Sequence, residues 1–281
     1  MTERVEARIG MVNFINTAPI YDVWQRTVHR PEWLITEAAP ATLNRLLSGG
    51  QLDVAFVSSH EYAVRPEFYK VLPGLSISST GPVGSVFLFA DVLPGELDGR
   101  LVYLSSKSQT SAALVKVILE EFHGVHPRYR TGDILDLRGE REPVAGVMAI
   151  GDEALQLAEG GTSGVRIDLG EEWYRRTGLP FVFALWVVRE SFSAEHPECV
   201  SEIRSELMRC AAKGREELEE ISRRVAPRIP MSSAACRRYL QKIEYDLEEE
   251  KRRALDLFFH YLIERGEGRP EALPVKYFEV D

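Results

Sequence analysis

LVYLSSKSQTSAALVKVILEEF, residues Leu101 to Phe122, decides how the rest of the chain is read. Its first four residues are an unbroken apolar run, the pattern of a buried strand. Leu114, Val117, Ile118 and Phe122 then recur at the three- and four-residue spacing that gathers them on one helix face. Five hydroxyl side chains, Ser105, Ser106, Ser108, Thr110 and Ser111, crowd the junction. A helix begins with N–H groups that have no partner within the helix, so hydroxyls here either cap it or join those N–H groups in holding an anion.

Working outward, the same strand-then-helix grammar recurs. RIGMVNF is an apolar run, ATLNRLLSGG puts Leu43, Leu46 and Leu47 on one helical face, and DVAFVSS is again a strand. HEYAVRPEF follows as a short helix and VLPGLSIS as a strand, which predicts a βαβαβ block with a mainly parallel sheet. A second α/β unit is built around the opening stretch, with PRYRTG and VAGVMAIG as strands and DEALQLAEG as a helix. From about Ser191 the chain reads as helical, breaks at APRIP, and resumes in one long helix from about Ser232 to Arg265. Its EEEKRR run, Glu248 to Arg253, reads as a solvated face with opposite charges at helical spacing.

That order predicts an α/β protein of two lobes with a type II periplasmic-binding-protein-like fold and a ligand cleft between the lobes. The crossings are expected near Ser85–Phe89 and Phe183–Val187. One lobe then comprises residues 1–87 and 187–281, and the other residues 88–186.

Composition narrows the function. The 281 residues are 44% hydrophobic and 27% charged, enough for a sizeable core and about two domains. A net charge of −9 with no stripe of Lys and Arg argues against a nucleic-acid surface. A small anion is not excluded, because it responds to the donors of its own pocket. The N-terminus, MTERVEARIGMVNF, does not read as a secretion signal, so a cytoplasmic protein is expected. The longest apolar run, LPFVFALWVV, is about half the length needed to cross a bilayer, so no membrane partner is expected. Cys199, Cys210 and Cys236 are widely spaced, read as buried free thiols, and imply no metal site. The chain has no GxGxxG, Walker, GxSxG or HExxH motif. The chemistry expected is therefore cofactor-free.

Small polar clusters end several of the apolar runs: NFINTAP, VSSHEY, GPVGSV, SSKSQTS and IGDEAL. In a doubly wound architecture the carboxyl ends of the strands share one crevice, which makes these clusters the candidate site. Each has a plainer reading: Asn16 as an Asx turn, Ser108 and Asp152 as helix N-caps, and His60 as structural or exposed.

Taken together, VNFINTAPI, LSGGQLDVAFVSSHEYA, GPVGSVFLF, LSSKSQTSAALVKVIL, MAIGDEALQLA, DLGEEWYRRTGLPFVFALWVVR and LDLFFHYL resemble the chorismate dehydratases of the futalosine route to menaquinone. The resemblance runs nearly end to end. It implies a small-molecule substrate, chorismate, with two carboxylates, and loss of water to give 3-[(1-carboxyvinyl)oxy]benzoate. Matched by motif, it assigns Asn16 and Ser85 to the reacting ring and Ser58, Ser59, Ser108, Thr110 and Ser111 to the carboxylates, with Gly151 and Asp152 also binding substrate. The proton acceptor is open between the substrate's own enolpyruvyl carboxylate and Asp152. The rival readings are a sister enzyme resembling 1,4-dihydroxy-6-naphthoate synthase and a non-catalytic cytoplasmic anion-binding protein.

Overall fold

A computed structural model describes residues 5–139, 142–160, 164–229 and 231–279. Its ten strands divide equally between two sheets. The first has the order β2-β1-β3-β10-β4 and contains β1 (Ala7–Met11), β2 (Trp33–Glu37), β3 (Val54–Ser58), β4 (Tyr69–Ser79) and β10 (Phe181–Arg189). The second has the order β7-β6-β8-β5-β9, made from β5 (Val86–Ala90), β6 (Leu101–Ser105), β7 (Arg128–Gly132), β8 (Val144–Ile150) and β9 (Val165–Asp168). Strands β3, β5 and β6 are buried along their whole length, which is why they read as continuous apolar runs rather than alternating ones. At the edge of the second sheet, β7 instead carries Arg128 and Arg130, the charged kind of strand that discourages pairing with another chain.

Helices cover both sheets. In the first α/β unit these are α1 (Ala18–Thr27), α2 (Pro40–Ser48) and α3 (Ser59–Val64). The second unit contributes α4 (Gln109–Val117), α5 (Gly151–Glu159) and α6 (Leu169–Thr177). After β10 come α7 (Glu190–Glu195), α8 (Pro197–Glu216), α9 (Leu218–Val225), α10 (Ser233–Leu240) and α11 (Glu249–Glu264). The C-terminal helices return to the first lobe: α8 packs on α1, and α11 lies against β10 and α3. The predicted face of α4 is the buried one, with Leu114, Val117 and Ile118 in the core and Phe122 packed against Trp173 and Tyr261.

The structure departs from the sequence reading in four ways. First, both sheets are mixed. The antiparallel members are β5 and β10, the strands by which the chain enters each lobe from the other. Most strands therefore end at the cleft, whereas β5 and β10 begin there. Second, the passages between sheets are Thr80–Ser85 and Gly178–Pro180, several residues before the expected boundaries, because β10 belongs to the first sheet from Phe181 onward. An apolar run buried on both faces looks the same in either sheet, so its pattern did not reveal which one it joins.

Third, the long final helix is two, α10 and α11. The intervening segment lies along β4, where Ser78 and Glu244 exchange backbone hydrogen bonds of 3.0 and 2.9 Å and Ser76 N donates to Tyr245 O at 2.9 Å. Fourth, the EEEKRR run is not wholly solvated. Lys251 is only 7% exposed and pairs with Asp246 at 2.6 Å and Glu244 at 2.7 Å. A buried ammonium without such partners would be strongly disfavoured.

Candidate active site

A cleft with a cavity of about 60 Å³, partly open to solvent, lies between the two sheets. Val12, Phe14, Phe56, Ile77, Val83, Val86, Ile150 and Phe183 make its apolar walls. Its polar groups are Asn16, Ser58, Ser85, Ser108 and Ser111, with the backbone of Gly151. These six come from five separate chain segments, and all were expected from the sequence. No charged side chain is among the lining residues.

Asn16 sits in the single turn Ile15–Thr17 between β1 and α1. The local capping role that Asn might have filled is taken by Thr17, whose Oγ1 accepts from Phe14 N at 3.2 Å and donates to Val12 O at 2.6 Å. Asn16 Oδ1 is left buried and without a hydrogen-bond partner. A buried polar atom of this kind is costly unless something satisfies it, and here it belongs to a residue that lines the cleft.

Ser85 stands at the start of β5, held from several sides. Its carbonyl accepts from Gly151 N at 2.7 Å. Its preceding residues are gripped by the buried Asp168 carboxylate, which accepts from Val83 N at 3.1 Å and Gly84 N at 2.7 Å. The same carboxylate caps α6 through Gly170 N and Glu171 N. Burial raises the Asp168 pKa, and these backbone donors act against the rise. Ser85 Oγ accepts from the hydroxyl of Tyr239, on α10, at 2.9 Å.

Ser58 and Ser108 are genuine N-caps, accepting from Glu61 N at 3.3 Å and Ser111 N at 3.1 Å, so the plainer reading of Ser108 holds. Both residues nevertheless line the cleft, because each cap lies where a strand ending at the crevice becomes a helix. Helix α5 differs. Ile150 occupies the N-cap position with no side-chain cap, so Asp152 is within the first turn rather than a cap.

Three expected binding residues are not among the lining residues. Ser59 is fully buried and donates to Val182 O at 2.7 Å, tying α3 to β10. Thr110, also fully buried, accepts from His60 N at 3.0 Å and so links the two lobes. Both are neighbours of residues that face the cleft, and motif matching does not resolve which way each side chain turns. Asp152 follows Gly151 in the first turn of α5, with Oδ1 buried and unpartnered. Burial raises its pKa, opposed by Arg228, the Ile15 backbone and Lys107. His60 faces a separate groove with Lys116 and Glu267, and burial lowers its pKa.

The sequence reading missed Asn44, Tyr239 and Tyr245. Asn44 had a legible signal, a polar residue beside Leu43 and Leu47 on the buried face of α2. Its Nδ2 reaches Gln109 Oε1 at 3.2 Å across the lobes. The tyrosines lie far along the chain from Asn16 and Ser85, and no local pattern announces them.

Two α/β lobes, crossed twice by the chain and enclosing a cleft fed by helix starts, define a periplasmic-binding-protein-like fold. The chain belongs to the menaquinone biosynthesis family, whose profile matches residues 7–264. It is 31% identical over 266 residues to the chorismate dehydratase of Thermus thermophilus, covering 89% of this chain and 93% of that one. Among solved structures it resembles protein AF1704 from Archaeoglobus fulgidus, with a TM-score of 0.71, 18% identity and coverage of 92% and 97% of the two chains. It also resembles the periplasmic aliphatic sulphonate binding protein SsuA of Escherichia coli, with a TM-score of 0.63, 15% identity and coverage of 95% and 88%. These two likenesses concern the fold.

Proposed function

We propose that the protein is a chorismate dehydratase, a carbon–oxygen lyase that works without a cofactor in menaquinone biosynthesis. The observation that carries this reading is the pairing of Asn16, with its unsatisfied buried amide oxygen, and Ser85 in one apolar-walled cleft at the starts of α4 and α5. Chorismate has a flat diene ring for the walls and two carboxylates for the helix starts. The first turns of α4 and α5 favour negative charge, so a carboxylate needs no Lys or Arg there. Ser108 and Ser111 add hydroxyls at one carboxylate, and Ser58 lies toward the other.

The reaction follows from the substrate's own electronics. The ring hydrogen beside the enolpyruvyl ether is acidified by conjugation through the ring double bond to the ring carboxylate. We assign its removal to the enolpyruvyl carboxylate folded over the ring. The C–H electron pair passes into the ring, the neighbouring C–O bond breaks, and the proton and hydroxide leave together as water. The ring becomes aromatic, which supplies the driving force. Asn16 and Ser85 orient the carboxylate and hydrogen-bond the departing hydroxyl. Asp152 is the rival base, with burial raising its pKa toward that of a stronger proton acceptor.

Loss of the chorismate diene absorbance, with the benzoate product appearing, is the expected result when substrate is mixed with purified protein. Binding with an unchanged spectrum would leave an anion-binding protein. Turnover only of the cyclic naphthoate precursor would indicate the sister enzyme. Asp152→Asn separates the two bases: retained turnover is expected, and loss of turnover with chorismate still bound would transfer the role to Asp152. Among the described residues no helix is long and apolar enough to cross a membrane. We place the protein in the cytoplasm, where a biosynthetic dianion would be met.

A further inference from the structure

We propose that Tyr239 is a positioning residue for this reaction, acting through Ser85; the role rests on the dehydratase reading. Tyr239 is buried, and its hydroxyl lies 2.9 Å from Ser85 Oγ. A phenol is more acidic than an aliphatic alcohol, so the tyrosine donates and the serine accepts. That leaves the single Ser85 proton to be donated into the cleft, where the substrate's hydroxyl departs. A chain of two hydroxyls also polarises the second, making Ser85 a better donor than it would be alone.

The surroundings confine Ser85 to this one task. Gly151 N and the Asp168 carboxylate fix the backbone on either side of it, so the remaining freedom is the side-chain rotation that Tyr239 holds. Gly84, whose φ of +76° favours glycine, packs beside the ring, where a Cβ would stand in ordinary contact 3.5 Å from Tyr239 Cδ2. Burial raises the phenol's pKa, which keeps it a neutral donor throughout the working range. The same stretch of chain reaches the second reacting residue, since the buried hydroxyl of Tyr245 donates to Asn16 O at 2.8 Å. Tyr245 touches only a carbonyl, however, whereas Tyr239 touches the hydroxyl that meets substrate.

The test is steady-state chorismate turnover by the wild type, Tyr239→Phe, Ser85→Ala and the double variant, with Tyr245→Phe measured alone and on Ser85→Ala for comparison. Removing one neutral hydrogen bond should lower the kcat of Tyr239→Phe about 5- to 10-fold with little change in KM. On the Ser85→Ala background the Tyr239→Phe change should cost nothing further, because the group it orients is gone. The Tyr245→Phe loss should persist on that background, which distinguishes positioning of Ser85 from a general loosening of the segment. Wild-type kcat in Tyr239→Phe, or the same loss with and without Ser85, would overturn the proposal. A wild-type protein that leaves chorismate unchanged would instead refute the reaction and this role together.

Discussion

Helices α4 and α5 start from neighbouring strands of one sheet, β6 and β8, and both starts reach the cleft, yet they are finished differently. The α4 start is closed by its own Ser108 hydroxyl. The α5 start has no side-chain cap and begins at Gly151, with φ at +57° and open space where a Cβ would stand. A capped start is satisfied without ligand and contributes mainly hydroxyls. An uncapped start keeps N–H groups available and gains most from an anion placed against it. We infer a division of labour within one lobe: α4 supplies a stable rim, and α5 supplies the donors that follow Gly151, whose own N–H is taken by the Ser85 carbonyl.

Gly151→Ala attacks the open start and should have the largest effect. A left-handed backbone is unfavourable for alanine by roughly 1–2 kcal/mol. Because Gly151 lines the cleft, the added methyl should crowd substrate, and a misplacement of about 1 Å lowers turnover by about 100-fold. Chorismate kinetics and a melting curve measure both consequences. Ser108→Ala attacks the closed start. It should cost about 1 kcal/mol of stability through loss of the cap, with a raised KM. A Ser108→Ala effect on kcat larger than that of Gly151→Ala would reverse the division proposed here.

Thr110→Val sharpens the comparison further, because Thr110 lies in the first turn of α4 but bonds to His60 N across the lobes rather than facing the cleft. Its KM should rise about 5-fold, through one lost inter-lobe hydrogen bond. Ser106→Ala, at an exposed position before the helix, should leave both kinetics and stability unchanged.

Apart from the unchanged Ser106→Ala control, the smallest effect concerns α6, whose start is capped by Asp168 and whose first turn carries Glu172. Burial alone would raise the Glu172 pKa, but Arg175 and Arg176 overcome it and hold the carboxylate below its usual 4.5. A depressed native pKa contributes stability above the unfolded value and loses it as pH falls through the folded one. The melting temperature should therefore decline on acidification below about 4.5, less steeply in Glu172→Gln. An identical pH profile in the variant would remove Glu172 from the acid response.

Much of the candidate cleft was legible because strand ends and helix starts have local chemistry. Apolar runs followed by Ser, Asn or Gly placed Asn16, Ser58, Ser85, Ser108, Ser111 and Gly151 at one crevice, and the structure brings those six together. Neighbours within the same clusters, Ser59 and Thr110, face elsewhere, and adjacent hydroxyls look alike until the packing of β10 and α3 is known. Asn44 was legible in principle, as a polar interruption of a buried helix face.

The sequence by itself determined the two α/β units, the buried helix face of α4, the strand-end clusters and the family, because each is written in short-range periodicity or contiguous motifs. Tertiary structure alone decided which sheet receives β10, how residues 241–248 lie against β4, and that Tyr239 and Tyr245 meet Ser85 and Asn16. These contacts join segments more than 100 residues apart, and the free energy that selects them comes from burial and hydrogen-bond satisfaction in the folded chain. The opening stretch shows both kinds of information at once. Its strand and helix were readable from spacing, whereas the separate tasks of its hydroxyls, Ser108 as cap and cleft wall and Thr110 as lobe tie, depended on what the rest of the chain placed beside them.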